Sequence, residues 1–309
     1  MASPGSRRGR RRPPNGGRRQ PTSGRWAILG AGLALAAVAL WLALSWERSP
    51  LPPVRSQSRA GASPAPTAGR RPTAKPPRRR APNLPAGQLA LVIDDLGRSL
   101  DDVTELDRLD VPLSYSVLPY EVMTREVVAR LARERREILC HLPMEPANAH
   151  DPGPGALRQA MDLDSLAAAT TRALARVPGA VGANNHMGSE LTTDRAAMGA
   201  VLDVLQRHGL FFLDSRTSAG SVGFSLARSL GLPAAERDVF LDDDGDPAAI
   251  RAQVGRWLAR SRERGAAVAI GHPRPTTLEV LREELPKAKK LGFKFVPVSF
   301  LLDRSGQPL

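Results

Sequence analysis

The sequence predicts an α/β fold with parallel strands for residues 89–309, and three observations predict it. Short apolar runs alternate with amphipathic helical patterns, and polar residues follow the apolar runs at once. The chain has one cysteine, Cys140, so no intramolecular disulfide can staple a smaller fold. Polar residues follow six of the strands. In an open, doubly wound sheet they would be concentrated at one switch point, so the pattern favours a (β/α) barrel.

The charge of the chain is divided unevenly along its 309 residues. Residues 1–88 hold 17 of the 44 Lys and Arg residues and one of the 31 acidic residues, Glu47. The remainder, with 27 basic and 30 acidic residues, is close to neutral. A basic protein raises the question of nucleic-acid binding. Here the charge belongs to a low-complexity tail, so we expect no nucleic-acid partner.

An uncharged run of 21 residues, Trp26 to Trp46, follows the basic tail of residues 1–25. At about 1.5 Å per residue the run spans roughly 31 Å, the thickness of a bilayer's hydrocarbon core. Tryptophans at both ends and the excess of arginine before the run predict a signal anchor with residues 1–25 in the cytoplasm. The rest of the chain would then cross the inner membrane into the periplasm. A cleaved signal peptide, cut near Ala43-Leu44-Ser45, is the alternative, but the length of the run favours an uncleaved anchor.

Residues 47–88 are rich in Pro, Ala, Arg and Ser and contain few large apolar residues. Such a segment cannot bury enough apolar surface to fold. We therefore expect a disordered linker that joins the membrane anchor to the domain beginning at Leu89.

Eight strands are predicted within the domain, with helices between them. The strands are Leu89–Asp94, Leu113–Leu118, Glu137–His141, Ala180–Asn184, Leu210–Asp214, Arg237–Leu241, Ala266–Gly271 and Phe293–Val298. One helix begins at Asp162 or Asp164 and stops before Pro178. Two others run from Thr193-Asp194 to His208-Gly209 and from Asp246-Pro247 to Gly265. Glycine follows the last turn of both helices, and proline lies in the first turn of the second.

The first strand ends on two adjacent acids, Asp94 and Asp95. Adjacent strand residues point to opposite faces, but at a strand's last residue the chain is already turning, so both acids can serve one site. One would bind a metal and the other accept a proton. A helix N-cap pair is the alternative, although Ser99 and the acids after it can supply that cap.

Histidines follow two later strands. His141 and Glu145 stand four apart on what we predict to be a proline-containing loop, and both residue types bind Zn²⁺ at roughly 2.0–2.2 Å. His186 comes directly after a buried strand, where a structural role is hard to find. The preceding Asn184 and Asn185 are candidates to line a pocket or to cap a turn. Together with the acid pair, these residues predict a metalloenzyme.

Three further strand ends carry polar residues. Asp214 is a candidate to orient a catalytic group, and Arg216 to hold an anionic or hydroxylated ligand, unless the two form a local ion pair. His272, after the seventh strand, is a candidate general acid. The acidic run 242–246 lacks the later glutamate of a calcium loop and is interpreted as a turn and helix N-terminus. Cys140 is interpreted as a buried apolar residue rather than a nucleophile.

Taken in order, several motifs resemble one family over residues 88–305. They are V-I-D-D-L-G, S-V-L-P, C-H-L-P-M-E-P, N-N-H-M-G-S, F-F-L-D-S-R-T, F-L-D-D and A-I-G-H-P-R-P-T-T. The domain resembles the divergent polysaccharide deacetylase family, a branch of the NodB-type carbohydrate esterase superfamily. This resemblance implies a distorted (β/α)₇-type barrel and metal-dependent removal of acetyl groups from N-acetylated sugars.

The resemblance also implies roles for individual residues. Asp94 would be the general base, Asp95 the first metal ligand and His272 the general acid. The superfamily's H-x-x-x-H motif is replaced here by His141 and Glu145, so the third ligand is either His186 or Glu145. Independently of the resemblance, the chemistry of their side chains makes Asn184, Asn185, Asp214 and Arg216 candidates to bind substrate or to orient the groups that do. The superfamily's R-P-P-type motif after the fourth strand is absent.

The sequence therefore predicts a membrane-anchored deacetylase that faces the periplasm, uses a divalent ion, expected to be Zn²⁺, and acts on an amino-sugar polymer such as peptidoglycan. The alternative is a catalytically silent barrel that binds wall glycan or a protein partner, which the altered H-x-x-x-H motif supports. A phosphatase or other metal-dependent hydrolase would need a second metal, for which the acids of residues 242–246 are the spare ligands.

Overall fold

The computed structural model describes residues 86–302, which form one α/β domain. Its strands are β1 (Gln88–Leu96), β2 (Ser114–Val117), β3 (Glu137–Met144), β4 (Gly182–Met187), β5 (Phe211–Asp214), β6 (Ala234–Glu236), β7 (Val239–Phe240), β8 (Ala266–Gly271) and β9 (Lys294–Phe295). Its α-helices are α1 (Leu100–Asp107), α2 (Thr124–Arg133), α3 (Leu163–Arg176), α4 (Arg195–Arg207), α5 (Gly223–Ser229), α6 (Pro247–Arg264) and α7 (Pro275–Lys290). Two 3₁₀ helices cover Leu191–Thr193 and Val298–Leu301.

The described strands form a parallel sheet in the order β6-β5-β4-β3-β2-β1-β8-β7, with β9 added beside the start of β1. A parallel sheet brings the carboxyl ends of its strands to one edge, and helices connect each strand to the next except between β6 and β7. The predicted α/β class and parallel arrangement are confirmed.

The sheet is a curled, incomplete barrel rather than a closed one. In the described part of the chain no ladder joins its edge strands, β6 and β7. Their edges are nevertheless close, because two residues, Arg237 and Asp238, lead from one strand to the other and span roughly 11 Å at most. Arg237 N donates to the carbonyl of Asp214 on one side, and Asp238 N donates to that of Val268 on the other. The expected distorted barrel is therefore observed in the form of a curled, incomplete barrel of parallel strands. The predicted strand Arg237–Leu241 is reduced to β7, because Arg237 and Asp238 cross the gap.

Two apolar cores lie on the two faces of the sheet. The outer core joins alternate strand residues, such as Leu89, Leu91 and Ile93, to the helices. The inner core contains the intervening residues Ala90 and Val92 together with apolar side chains of other strands on the same face. The 3₁₀ helix Val298–Leu301 also contributes to it. Its other members are Leu139, Phe211, Leu213, Val268, Ile270, Val298 and Leu301. Side chains two residues apart in a strand lie on the same face. A polar residue two positions after an inner-core residue therefore also points into the barrel.

The element boundaries depart from the predictions mainly at strand ends. β3 continues through Met144, so Pro143 lies in the strand and not in a loop, and β4 continues through Met187. β6 was not predicted, and β9 is shorter than expected. The N-terminal residues of three helices are confirmed: Asp162, Asp194 and Asp246 each accept backbone N–H bonds as N-caps.

The predicted basic tail, membrane anchor and most of the linker, residues 1–85, lie outside the described residues. Within residues 86–302, no helix combines the length and the apolarity that a membrane crossing requires. β1 begins at Gln88, one residue before the predicted start of the domain.

Candidate metal centre and active site

On the inner face of the barrel, polar side chains lie directly above the inner core. Two residues beyond Val92 stands Asp94, two beyond Leu139 stands His141, and two beyond Ile270 stands His272. The same alternation brings in polar residues from β2, β4 and the end of β5: Ser116, Asn184, His186 and Ser215. Contacts among these side chains, described below, show that they meet at the carboxyl edge of the sheet. The predicted convergence of strand ends on one site is therefore observed.

Asp94 and Asp95 both reach this site because β1 contains a β-bulge. Ile93 pairs with Tyr115 and Leu96 with Val117, so one extra residue of β1 lies between the two pairs. Asp95 accordingly adopts a left-handed backbone, with φ 61°. A bulge redirects a side chain that would otherwise point to the opposite face. The expectation that the strand ends at the acid pair was wrong, since β1 runs to Leu96, but the two acids do share one site.

Asp95, His141 and His186 bring three donor atoms together. Oδ1 of Asp95 lies 2.9 Å from Nδ1 of His186 and 3.3 Å from Nε2 of His141, and the two nitrogens are 3.3 Å apart. Ligands around a tetrahedral zinc at about 2.0–2.2 Å are separated by about 3.3–3.6 Å. Oδ1 of Asp95 is also buried and accepts no well-formed hydrogen bond from the described residues. These residues therefore fit a divalent ion.

Asn184 fixes which nitrogen of His141 faces Asp95 and His186. Its Nδ2 donates to Oδ1 of Asp94 at 2.9 Å and to Ser215 Oγ at 3.2 Å. Its Oδ1 accepts from Ser116 Oγ at 2.6 Å and lies 3.0 Å from Nδ1 of His141. Because that oxygen is an acceptor, Nδ1 of His141 must be the donor, which leaves the lone pair on Nε2 for a metal.

The charges of the cluster stabilise one another. Burial opposes the charge of Asp95, but the close approach of the His141 and His186 imidazoles outweighs burial and holds the pKa of Asp95 well below its usual range. Burial likewise opposes charge on His141, but Asp94 and Asp95 outweigh it and raise the pKa of that imidazole. The two carboxylates therefore stabilise positive charge at this position, which is the property required to hold a cation.

Glu145, the alternative third ligand, lies outside the donor cluster. Its carboxylate accepts a hydrogen bond from the backbone of Gln159 at 2.7 Å, and it lines a separate depression with His150. Because β3 is extended through Met144, a spacing of four residues from His141 corresponds to roughly 13 Å along the strand. His186 occupies the position beside His141 instead, contributed by the neighbouring strand β4.

His272 is held by Asp242 beside the cluster of Asp95, His141 and His186. Oδ1 of Asp242 lies 2.9 Å from Nδ1 of His272, and Oδ2 accepts from the backbone N of His272 and from Thr277 Oγ1. The other ring nitrogen, Nε2, faces Oδ2 of Asp95 at 3.8 Å. Burial opposes charge on His272, but the hydrogen bond and charge of Asp242, with Asp95 and Asp94, raise its pKa. A histidine with a raised pKa retains a proton that it can donate.

The cluster opens into a cleft of about 1260 Å³. Of the predicted substrate-binding residues, Asn185 and Arg216 line this cleft. Asn184 is instead buried behind His141. Asp214 lies outside the cleft, where its carboxylate accepts hydrogen bonds from Ser221 and from the backbone of Phe224 and Arg216. Arg216 forms an ion pair with Glu236 rather than with Asp214.

Strained backbone marks the same region. Among the described residues, Asp95, Met187 and Arg216 combine a positive φ with a side chain and also line the cleft, at the ends of three different strands. Such conformations cost about 1–3 kcal/mol each and persist where the surrounding structure enforces them, typically at functional sites.

Sequence reasoning missed several residues of the site. Asp242 was interpreted as part of a turn, although F-L-D-D ends an apolar run as V-I-D-D does. Ser116 and Ser215, which hold Asn184, have a weaker signal, namely alternation with apolar residues of the same strand. Arg237 was assigned to a strand, and its contacts across the barrel gap leave no signal in the sequence.

Comparisons with known proteins agree with this architecture. A family model described as divergent polysaccharide deacetylase matches residues 91–302. The uncharacterized protein YibQ of Escherichia coli (strain K12) is 37% identical over 198 residues, which are 64% of this chain and 62% of that protein. An uncharacterized protein of Haemophilus influenzae (strain ATCC 51907 / DSM 11121 / KW20 / Rd) is 35% identical over 198 residues, 64% of this chain and 71% of that protein. The match thus spans less than two thirds of the E. coli relative.

A solved structure shares the fold. The crystal structure of an uncharacterized protein from Agrobacterium tumefaciens C58 superposes with a TM-score of 0.66 at 23% identity, covering 70% of this chain and 89% of that one. The family model covers more than half of the chain and most of its described residues. The resemblance predicted from the motifs is confirmed, and the chain belongs to the divergent polysaccharide deacetylase family.

Proposed function

We propose that this protein is a metal-dependent hydrolase that removes N-acetyl groups from an amino-sugar polymer. The observation that carries the proposal is the convergence of Asp95, His141 and His186, with Asp94 and His272 on either side of them. Two imidazole nitrogens and one carboxylate oxygen form the type of donor set that zinc accepts in hydrolases, with a position left for water or substrate. We therefore expect zinc as the ion.

Asp95, His141 and His186 would hold a divalent ion, which would supply a Lewis acid for the acetamide carbonyl and would lower the pKa of nearby water to about 7. Asp94 lies 3.5 Å from Nε2 of His141 and receives an amide hydrogen bond from Asn184, so it is oriented to accept the proton of the attacking water. His272 donates a proton through Nε2 to the departing sugar nitrogen. Water adds to the carbonyl carbon, the C–N bond breaks, and acetate and a free amine result.

Release of acetate tests this proposal. We expect the zinc-loaded full-length protein to release acetate from polymers or oligomers of N-acetylated amino sugars, with the Asp94→Asn and His272→Ala variants inactive. Both variants should still bind zinc, because neither residue belongs to the donor triad. The absence of acetate from every N-acetylated polymer offered, with zinc bound, would instead support a barrel that binds glycan without hydrolysing it.

We further propose that the domain acts in the cell envelope, anchored in the inner membrane. The support is the sequence of residues 1–46 alone. A reporter enzyme that is active only outside the cytoplasm, fused after residue 309, would be active if this orientation is right. An active cytoplasmic reporter at the same position would contradict it.

A further inference from the structure

One side of the cleft carries three arginines for which the proposed chemistry has no use. Arg237 lies between β6 and β7, and Arg256 and Arg260 lie on α6, and all three line the same cavity as Asp95. We call these three residues the basic wall.

Arg237 is a half-buried cation that lacks a carboxylate partner within ion-pair distance in the described part of the chain. Its Nε donates to the carbonyl of Ser215 at 2.6 Å and its Nη2 to that of Arg216 at 2.8 Å. The guanidinium lies 4.8 Å from the centre of the Phe240 ring, and that ring packs against His272 at 5.5 Å. Carbonyl groups and a ring face orient the cation without forming an ion pair with it. Burial lowers the pKa of Arg237, and the charges of Asp94, Asp243 and Asp214 offset that effect only in part.

Arg256 and Arg260 extend the basic wall along α6. They are four residues apart, so they lie on one face of the helix, and both are exposed. Arg260 reaches Glu263 at a distance of 3.9 Å, and among residues 86–302 no ion pair of Arg256 is found. Like charges at this spacing destabilise an isolated helix slightly. An anion bound between them would relieve that repulsion.

The acidic residues on this side of the cleft do not cancel the basic wall. Asp238 forms an ion pair with Arg264 at 3.0 Å, and Glu263 lies beside Arg260. Asp243 remains as a further carboxylate that lines the cavity. Excess positive charge is therefore left on this wall of the cleft.

The size of the cleft, about 1260 Å³, exceeds the roughly 300–1000 Å³ typical of a site for one drug-sized ligand, so it can hold more than one sugar. Resting on the hydrolase function proposed above, we infer that the substrate is an acidic glycan. Its carboxylate or phosphate group contacts the basic wall while the acetamide of a neighbouring sugar lies at the metal centre. Guanidinium groups suit such oxyanions because their donors form a planar fork.

Equilibrium binding to the full-length Asp94→Asn protein tests the inference, since this variant should not consume its ligand. The probes are a tetrasaccharide of alternating N-acetylglucosamine and N-acetylmuramic acid, its methyl ester, and an N-acetylglucosamine tetrasaccharide with or without one phosphate monoester. We expect the free acid to bind about tenfold more tightly than its ester, as one charge-assisted hydrogen bond predicts. The gain in affinity from the phosphate monoester on the N-acetylglucosamine tetrasaccharide, compared with the gain from the free carboxylate, shows which oxyanion is preferred.

Arginine variants of the same protein locate the effect. Adding Arg256→Gln and Arg260→Gln together should largely remove the preference for the acid. Arg251→Gln, on the same helix but outside the cleft, should preserve it. Arg237→Lys keeps the charge but not the planar fork and should weaken acid binding.

Equal affinity for anionic and neutral probes, or a preference that survives both the double variant and Arg237→Lys, would overturn the inference. Either result could still accompany acetate release by the wild-type protein, so the proposed function would stand. Acid-selective binding without acetate release would uphold the basic wall and reject the hydrolase.

Discussion

Replacement of Asn184 by alanine should damage both the stability of the domain and its affinity for metal. Asn184 is fully buried and makes four side-chain contacts, with Ser116, His141, Asp94 and Ser215. At roughly 1 kcal/mol for each buried hydrogen bond, the free energy of unfolding should fall by about 4 kcal/mol. This estimate assumes that no other group takes the place of the amide in any of the four hydrogen bonds.

The effect on metal has a separate cause. Without Asn184, Nδ1 of His141 loses the acceptor that keeps the lone pair on Nε2, and such supporting contacts typically contribute about 10–100-fold to metal affinity. Urea denaturation of the metal-free protein gives the first quantity, and calorimetric zinc titration of the folded protein gives the second.

Ser116→Ala is the matched control, because it removes one of the four contacts and leaves His141 untouched. We expect a loss of about 1 kcal/mol in the free energy of unfolding and no comparable loss of zinc affinity. A folded Asn184→Ala protein that binds zinc as tightly as the Ser116→Ala protein would refute the role assigned to the amide.

Other parts of the account make further predictions. Zinc titration should show that Glu145→Gln binds as wild type does, while His186→Ala binds at least about tenfold more weakly; the reverse order would restore the glutamate as ligand. Asp242→Asn should lower kcat with little change in KM or zinc content, because it removes the carboxylate charge that raises the pKa of His272. An unchanged kcat would contradict the role of Asp242 in supporting His272. Cys140 should resist alkylation at pH 8 until the protein is unfolded, since burial raises the pKa of its thiol; rapid labelling of the folded protein would count against its burial. Asp246→Ala should cost about 1 kcal/mol of stability without altering zinc binding, and calcium should not raise the melting temperature if this acid is a helix cap.

The sequence was sufficient to predict most of the strands and the polar residues that meet at their ends, because both depend on local patterns. Apolar runs of the right length predicted most of the sheet, and caps such as Asp194 were visible from residue type and position. The convergence of Asp95, His141 and His186 followed from a general property of parallel sheets. Family resemblance added the roles that we propose for Asp94 and His272.

What the sequence could not supply were features that depend on register. The β-bulge of β1 arises from how Ile93 and Leu96 pair with the next strand, and pairing is not encoded in one strand alone. Whether His186 or Glu145 lies beside His141 depended on whether β3 continued through Met144, and the ends of strands are poorly marked in a sequence. The crossing of the barrel gap by Arg237 likewise depends on contacts between distant segments.

The most direct test of the central claim is metal analysis of the purified full-length protein after incubation with zinc and removal of the excess. We expect about one ion per chain in the wild type and none retained in Asp95→Ala or His141→Ala, with Glu145→Gln as the control that keeps its ion. Variants that remain folded by circular dichroism make the comparison valid. No zinc in the wild-type protein, or equal zinc in all of these variants, would contradict a metal centre formed by Asp95, His141 and His186.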